Sequence, residues 1–123
     1  MDAADQLEDR RARCLPHLLR LRVLTGLPEA PLPWLAVAEV TRATEAILAE
    51  VEAAVRAATE GHPGSLGAPG TGVFLGVRLS RLAVAAGDAV AAAWAGDFTQ
   101  LRRQLRRFDT LTSAIWTVQD ASA

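Results

Sequence analysis

The sequence predicts an all-α fold: an antiparallel four-helix bundle built from two helical hairpins, in a single domain over 1–123. Half of the residues are hydrophobic while only 5% are aromatic, and alanine supplies much of the hydrophobic half. Alanine has the highest helix propensity, whereas strands favour aromatic and β-branched residues. Apolar residues recur at intervals of three and four in segments separated by Gly and Pro, as in amphipathic helices.

The first helix is expected over about 2–24 and to be kinked or split at Pro16. Proline inside a helix removes one backbone hydrogen bond, and its ring clashes with a carbonyl of the preceding turn. Gly26 and Pro28 form a stop signal directly after this helix.

The second helix is expected over about 32–60. Pro33 stands at its start, directly before Trp34, and proline is tolerated in the first turn of a helix. Its apolar residues follow one face and its charged residues lie opposite. These include Glu52 and Arg56, a favourable pair one turn apart. The segment 61–72 is rich in Gly and Pro, so we expect it to be a loop between the two hairpins.

The third helix is expected over about 73–95 and is unusually poor in charge. Its charged residues are Arg78, Arg81 and Asp88, and helical spacing places all three on one narrow stripe. A helix that is apolar around most of its circumference must be covered, either inside the bundle or by a second chain. We expect it to be partly central and partly an interface, with the three charged residues marking its water-facing or partner-facing edge.

The fourth helix is expected over about 98–119. Asp97 is placed as its N-cap, since a carboxylate there can accept a backbone N–H of the first turn. The short Gly96-Asp97 connection predicts that the third and fourth helices form an antiparallel hairpin. The apolar residues of this helix share one side, and a basic cluster occupies the other: Arg102, Arg103, Arg106 and Arg107.

No arrangement of residues predicts catalysis, a metal site or a cofactor. Cys14 and His17 share a helix face, but zinc needs four ligands and the other histidine, His62, is distant in sequence. The pair also lacks the oriented base and oxyanion site that a nucleophile requires. No glutamate precedes a histidine by three residues, as in di-metal bundles, and no lysine is present for a phosphate-binding loop. We therefore expect no enzyme activity and no cofactor.

Composition and charge narrow the classes of partner. All 13 residues in the Lys+Arg count are arginine, and the joint absence of lysine, asparagine and tyrosine indicates a high-GC bacterial genome. The number of arginines therefore partly reflects the codon composition of that genome. The formal net charge of −1 creates no field that attracts nucleic acid or an anionic membrane. With one cysteine, no signal-peptide pattern and no apolar span, we expect a cytoplasmic protein with neither kind of partner.

Two functions are favoured as hypotheses. A third, electrostatic association of nucleic acid with the arginines of the fourth helix, is less favoured because the aromatic residues of that helix face the core. The first is a non-catalytic adaptor, accessory or regulatory protein that contacts another protein, a second copy of itself as a homodimer, or both. The alternative is a bundle that binds a small apolar or anionic ligand between its helices. Trp34 and Trp94 are interpreted either as caps of the two bundle ends or as interface anchors. The candidate interface residues are Arg78, Arg81, Asp88, Trp94, Arg102, Arg103, Arg106 and Arg107.

Overall fold

A computed structural model describes residues 3–59 and 72–122, with side chains described for 8–57 and 76–116. The helices are α1 (Ala3–Thr25), α2 (Pro33–Thr59), α3 (Gly72–Ala95) and α4 (Phe98–Ser122). The described residues contain no strand, so the all-α prediction is confirmed. The first three helices match their predicted bounds to within one residue. The loop expected at 61–72 lies outside the described residues, except that its last position begins α3.

The four helices form an antiparallel bundle in which each helix packs mainly against its neighbours in the chain, and α4 returns to α1. Arg13 pairs with Glu50 and Arg20 pairs with Glu39, so α1 and α2 run in opposite directions. The seams that α3 makes with α2 and with α4 are the most extensive, and the α1–α4 seam is the least extensive. Helices α1 and α3 therefore occupy diagonally opposite corners of the bundle.

Helix α1 passes through Pro16 without interruption. Of the two forms expected there, the split is excluded, because the residues on both sides of Pro16 belong to one helix. Proline deprives the carbonyl of Ala12 of its usual N–H donor. Both Pro16 and Ala12 are exposed, so water can satisfy that carbonyl and the helix continues.

The turn between α3 and α4 has the geometry of a Schellman cap. Gly96 adopts φ 69°, its N–H donates to the carbonyl of Ala93 at 3.1 Å, and Asp97 N–H donates to that of Ala92 at 3.0 Å. The Asp97 carboxylate then accepts the N–H of Gln100 at 3.0 Å, which confirms the predicted N-cap. One residue therefore ends α3 and the next begins α4, which fixes the second hairpin.

The core is unequal in the size of its side chains. Helices α1, α2 and α4 bury large residues such as Leu21, Ile47 and Phe108, whereas α3 buries Leu82 and otherwise mainly alanine. Small inward side chains let α3 approach both of its neighbours closely. On its other side α3 exposes Val77, Val84 and Trp94, and the candidate site lies there.

Candidate functional site

The outer side of α3 is apolar and is covered by no described part of the chain. Helix α3 contacts α2 and α4 and lies diagonal to α1, so its remaining side points away from the bundle. Two valines and a tryptophan there are 47–68% exposed. Its exposed residues, called the α3 outer face below, are Val77, Ser80, Arg81, Ala83, Val84, Gly87, Asp88, Ala91, Trp94 and Ala95.

Gly87 lies in the middle of the α3 outer face. A Cβ atom at this position would meet no atom within 4 Å, so no described neighbour requires a glycine here. Glycine inside a helix is destabilising by about 1 kcal/mol relative to alanine. Ala83 and Ala91 lie four residues on either side and extend a row of small side chains. This row leaves the backbone of α3 open to the close approach of another helix.

The charged residues of the α3 outer face lie on one edge, on the side of α4. Successive helical residues rotate by about 100°, which places Arg81 and Asp88 close together in angle. Oδ2 of Asp88 lies 3.9 Å from Nη1 of Arg107, with both side chains about half exposed. Arg81 is exposed and forms no ion pair with a described residue. Arg78 is instead half-buried and donates to the carbonyl of Ala114 at 3.1 Å.

The three tryptophans occupy two different environments. Trp34 and Trp94 are 65% and 68% exposed, whereas Trp116 is 3% exposed. The prediction that Trp34 and Trp94 cap opposite ends of the bundle is wrong, because α2 and α3 are antiparallel. The start of α2 and the end of α3 therefore lie at the same end, where the Cγ atom of Pro33 lies 3.8 Å from the position that a Cβ atom would take at Gly96. Only Trp116 fills the core.

The arginines of α4 are not a single free basic patch. Arg102 donates to the carbonyl of Leu27 and lies over the ring of Phe98, 4.2 Å from its centroid, so it ties α4 to the α1–α2 connection. Arg107 lies beside α3. The other two, Arg103 and Arg106, are exposed and pair with no described carboxylate.

A groove of about 430 Å³ runs along the seam between α1 and α4. Its charged rim and apolar wall are formed by Glu8, Arg11, Ala12, Leu15, Leu18, Arg22, Ser113 and Trp116. The indole Nε1 of Trp116 is buried and has no hydrogen-bond partner among the described residues. A second depression, of about 260 Å³, lies on the other side of Arg22. These volumes follow from the sparse packing of this seam.

The outward side of α1 carries a shorter apolar row. Leu15, Leu19 and Val23 are 49%, 49% and 63% exposed and follow one another at intervals of one turn. Because α1 and α3 are diagonal in the bundle, this row and the α3 outer face point in opposite directions. Neither surface could be assigned from the sequence without knowing which helices are neighbours.

Cys14 and His17 are separated by their environments. The thiol of Cys14 is fully buried, and burial raises its pKa to about 11, whereas His17 is half-buried. A protonated, inaccessible thiol is a poor nucleophile and a poor metal ligand. Among the described residues, no group of three His, Cys, Asp or Glu side chains is placed to hold a metal ion.

Comparison with protein-family models, with curated proteins and with solved structures gives no match to this chain. Within the described residues, no helix is long and apolar enough to cross a membrane. The residues that sequence reasoning did not select are Val77, Val84 and Gly87. The helical wheel of α3 places Val77 and Val84 within about 60° of Arg81 and Asp88. Whether that side of the helix is exposed depends on which helices are its neighbours.

Proposed function

We propose that this protein is a non-catalytic helical adaptor or regulatory protein that acts through protein–protein contact. The observation that carries the proposal is the α3 outer face, on which Val77, Val84 and Trp94 are exposed around a glycine that no described neighbour explains. Exposed apolar side chains concentrated on one face are typical of interaction sites rather than of inert surface.

The side chains of this face are of the kinds that contribute most to the free energy of binding when a partner covers them. Burying a valine or similar side chain against a partner contributes roughly 1.5–3 kcal/mol. Tryptophan and arginine are the residues most enriched among those that dominate interface energetics. Trp94 and Arg81 lie on opposite edges of the face, and Trp34 lies at the same end of the bundle as Trp94.

The experiment compares retrieval of partners by three forms of the tagged protein. The wild type and the variants Val84→Asp and Ala49→Asp are incubated with extract of the source organism. Ala49 is exposed on the outer side of α2, so it provides a matched control for an added surface charge. We expect the wild type and Ala49→Asp to retain the same polypeptides and Val84→Asp to lose them, with all three unfolding at similar temperatures.

The opposite result is equally clear. If Val84→Asp retains what the wild type retains, the α3 outer face does not bind the partner and the proposal is wrong. Retention of a further copy of the same chain counts as binding, because the proposal includes self-association.

The groove between α1 and α4 favours a second candidate, the binding of a small apolar molecule that carries an acceptor or an anionic group. Its wall is apolar, its rim contains Arg11 and Arg22, and its volume lies in the range of ligand sites. A ligand that binds only the folded state raises the unfolding temperature. A panel of alkyl carboxylates and neutral alkyl esters, with Ala12→Leu as a groove-filling variant, tests this. Unchanged unfolding temperatures across the panel would remove the candidate.

A further inference from the structure

The geometry points to a second copy of this chain as the partner of the α3 outer face. We infer that the two α3 helices pack antiparallel about a two-fold axis that passes between positions 84 and 85. This inference rests on the proposed function, since it names the partner of the same surface.

The positions of the charged residues set this axis. A two-fold axis perpendicular to both helices reverses their direction but keeps each residue on its own edge of the contact. Arg81 and Asp88 share one edge and lie equally far from the midpoint between 84 and 85. Arg81 of one copy therefore faces the partner's Asp88, and the same pair forms again on the other side of the axis.

Both members of this pair are available for it. Arg81 has no ion pair with a described residue, and the contact of Asp88 with Arg107 is long, at 3.9 Å, and about half exposed. Asp88 can therefore accept the partner's Arg81 while Arg107 stays beside it. Exposed ion pairs add little affinity, so the main effect of these two pairs is to select the register of the helices.

The uncharged residues near the axis also fit this packing. Val84 lies next to the axis and meets the partner's Val84. Val77 lies opposite the partner's Ala91, and Gly87 lies opposite the partner's Ala83. This packing explains the glycine at position 87, because the absence of a side chain there lets the two helix backbones approach each other closely.

The distribution of charge favours a second copy over an unrelated protein. A face that recognised a basic or an acidic partner would carry charges of one sign along its edge. This edge carries one of each sign, spaced so that it complements itself after a two-fold rotation. Isologous two-fold dimers are also the commonest form of association among soluble oligomers.

The first experiment measures the mass and the dimer dissociation constant by sedimentation equilibrium. We expect a wild-type dimer and, for Arg81→Glu and Asp88→Arg separately, a dissociation constant raised at least about tenfold, because symmetry counts each repulsion twice. The double variant R81E/D88R recovers most of the lost affinity, since both pairs are rebuilt with exchanged signs. The difference that remains comes from Arg107, which then lies beside an arginine at position 88. Arg103→Glu is the control for a charge change outside the face and leaves the constant unchanged.

The second experiment tests the close approach and the axis. Gly87→Leu abolishes the dimer without unfolding the monomer, because its side chain points into open space, and Ala49→Leu on α2 leaves the dimer intact. Val84→Cys forms a disulfide-linked dimer under mild oxidation, since position 84 meets its own copy, whereas Ala49→Cys does not.

The outcomes separate this inference from the proposed function. A wild type that is monomeric at every accessible concentration overturns the inference, and so does a double variant that stays as weak as the single ones. If that monomer still binds another protein and Val84→Asp prevents it, the proposed function stands without a dimer. A dimer that no α3 variant affects overturns both.

Discussion

Arg22 of α1 and Asp109 of α4 form a bidentate ion pair. Nε of Arg22 lies 2.9 Å from Oδ2 of Asp109, and Nη2 of Arg22 lies 3.0 Å from Oδ1 of Asp109. The pair crosses the seam that has the least helix–helix contact and separates its two depressions. The hydrogen bonds that Arg22 donates to the Asp109 carboxylate raise the pKa of Arg22 above its usual value. At this seam a polar contact supplies part of what side-chain packing supplies elsewhere.

Removal of this ion pair should destabilise the protein modestly. Asp109→Asn keeps the shape of the side chain but removes its charge, and we expect the free energy of unfolding to fall by about 0.5–1 kcal/mol, the upper range for an exposed pair with good geometry. Urea unfolding monitored by circular dichroism measures the change. Glu52→Gln, which breaks the more exposed pair with Arg56 inside α2, is the control and should cost about half as much. An equal or larger effect of Glu52→Gln would contradict this interpretation.

Glu50 should make the stability of the α1–α2 seam depend on pH. Hydrogen bonds from Arg13 lower the pKa of Glu50 below 4.5, with the charges of Arg13 and Arg10 acting in the same direction against burial. A carboxyl group whose pKa is lower in the folded state than in the unfolded state stabilises the protein when the pH lies above the unfolded-state pKa. This stabilisation is lost as the pH falls through the folded-state pKa. The wild type should therefore exceed Glu50→Gln in stability at neutral pH, and the difference should vanish in acid. A difference that is constant with pH would show that Glu50 stabilises the seam in some other way.

Gly87→Ala and Gly96→Ala should change the stability of the monomer in opposite directions. An alanine at position 87 adds helix propensity and meets open space, so we expect a gain of up to about 1 kcal/mol. An alanine at position 96 must adopt φ 69°, which should cost about 1–2 kcal/mol. Thermal unfolding at low protein concentration measures both. Two changes of the same sign would contradict the assignment of these glycines to different roles.

The thiol of Cys14 should react only when the protein unfolds. It is fully buried, and burial raises its pKa to about 11, so very little thiolate is present at neutral pH. A thiol reagent should therefore label the native protein at a rate set by opening of the structure, and the denatured protein rapidly. Fast labelling of the native protein at neutral pH would be the contrary finding. His17 should not accelerate the reaction, and His17→Ala tests this.

The helices could be predicted from the sequence because their signals are local. The N-cap at Asp97, the glycine at 96 and the three-and-four spacing each act within a few residues, and all are found as expected. Pro16 shows the limit of such a rule. Its cost depends on whether the freed carbonyl is exposed, which is a property of the assembled bundle.

The candidate site could be predicted only in part, since it depends on which helices are neighbours. Arg81 and Asp88 fall on the exposed edge of α3 as expected, but Arg78 and Arg102 donate to carbonyls of their own chain. Trp34 and Trp94 lie at the same end because α2 and α3 are antiparallel, and this relationship has no local signal at either tryptophan. The groove beside Trp116 has no local signal, because it results from the seam where α4 returns to α1.

The order of the helices around the bundle also bears on how the protein folds and opens. Three of the four seams join helices adjacent in the chain, so those contacts close over connections of at most twelve residues. The α1–α4 seam joins the two helices most distant in sequence and carries the largest loss of chain entropy for the least contact. Native-state hydrogen exchange should therefore find α1 in the least stable cooperative unit, opening before the α2–α3–α4 part of the bundle unfolds.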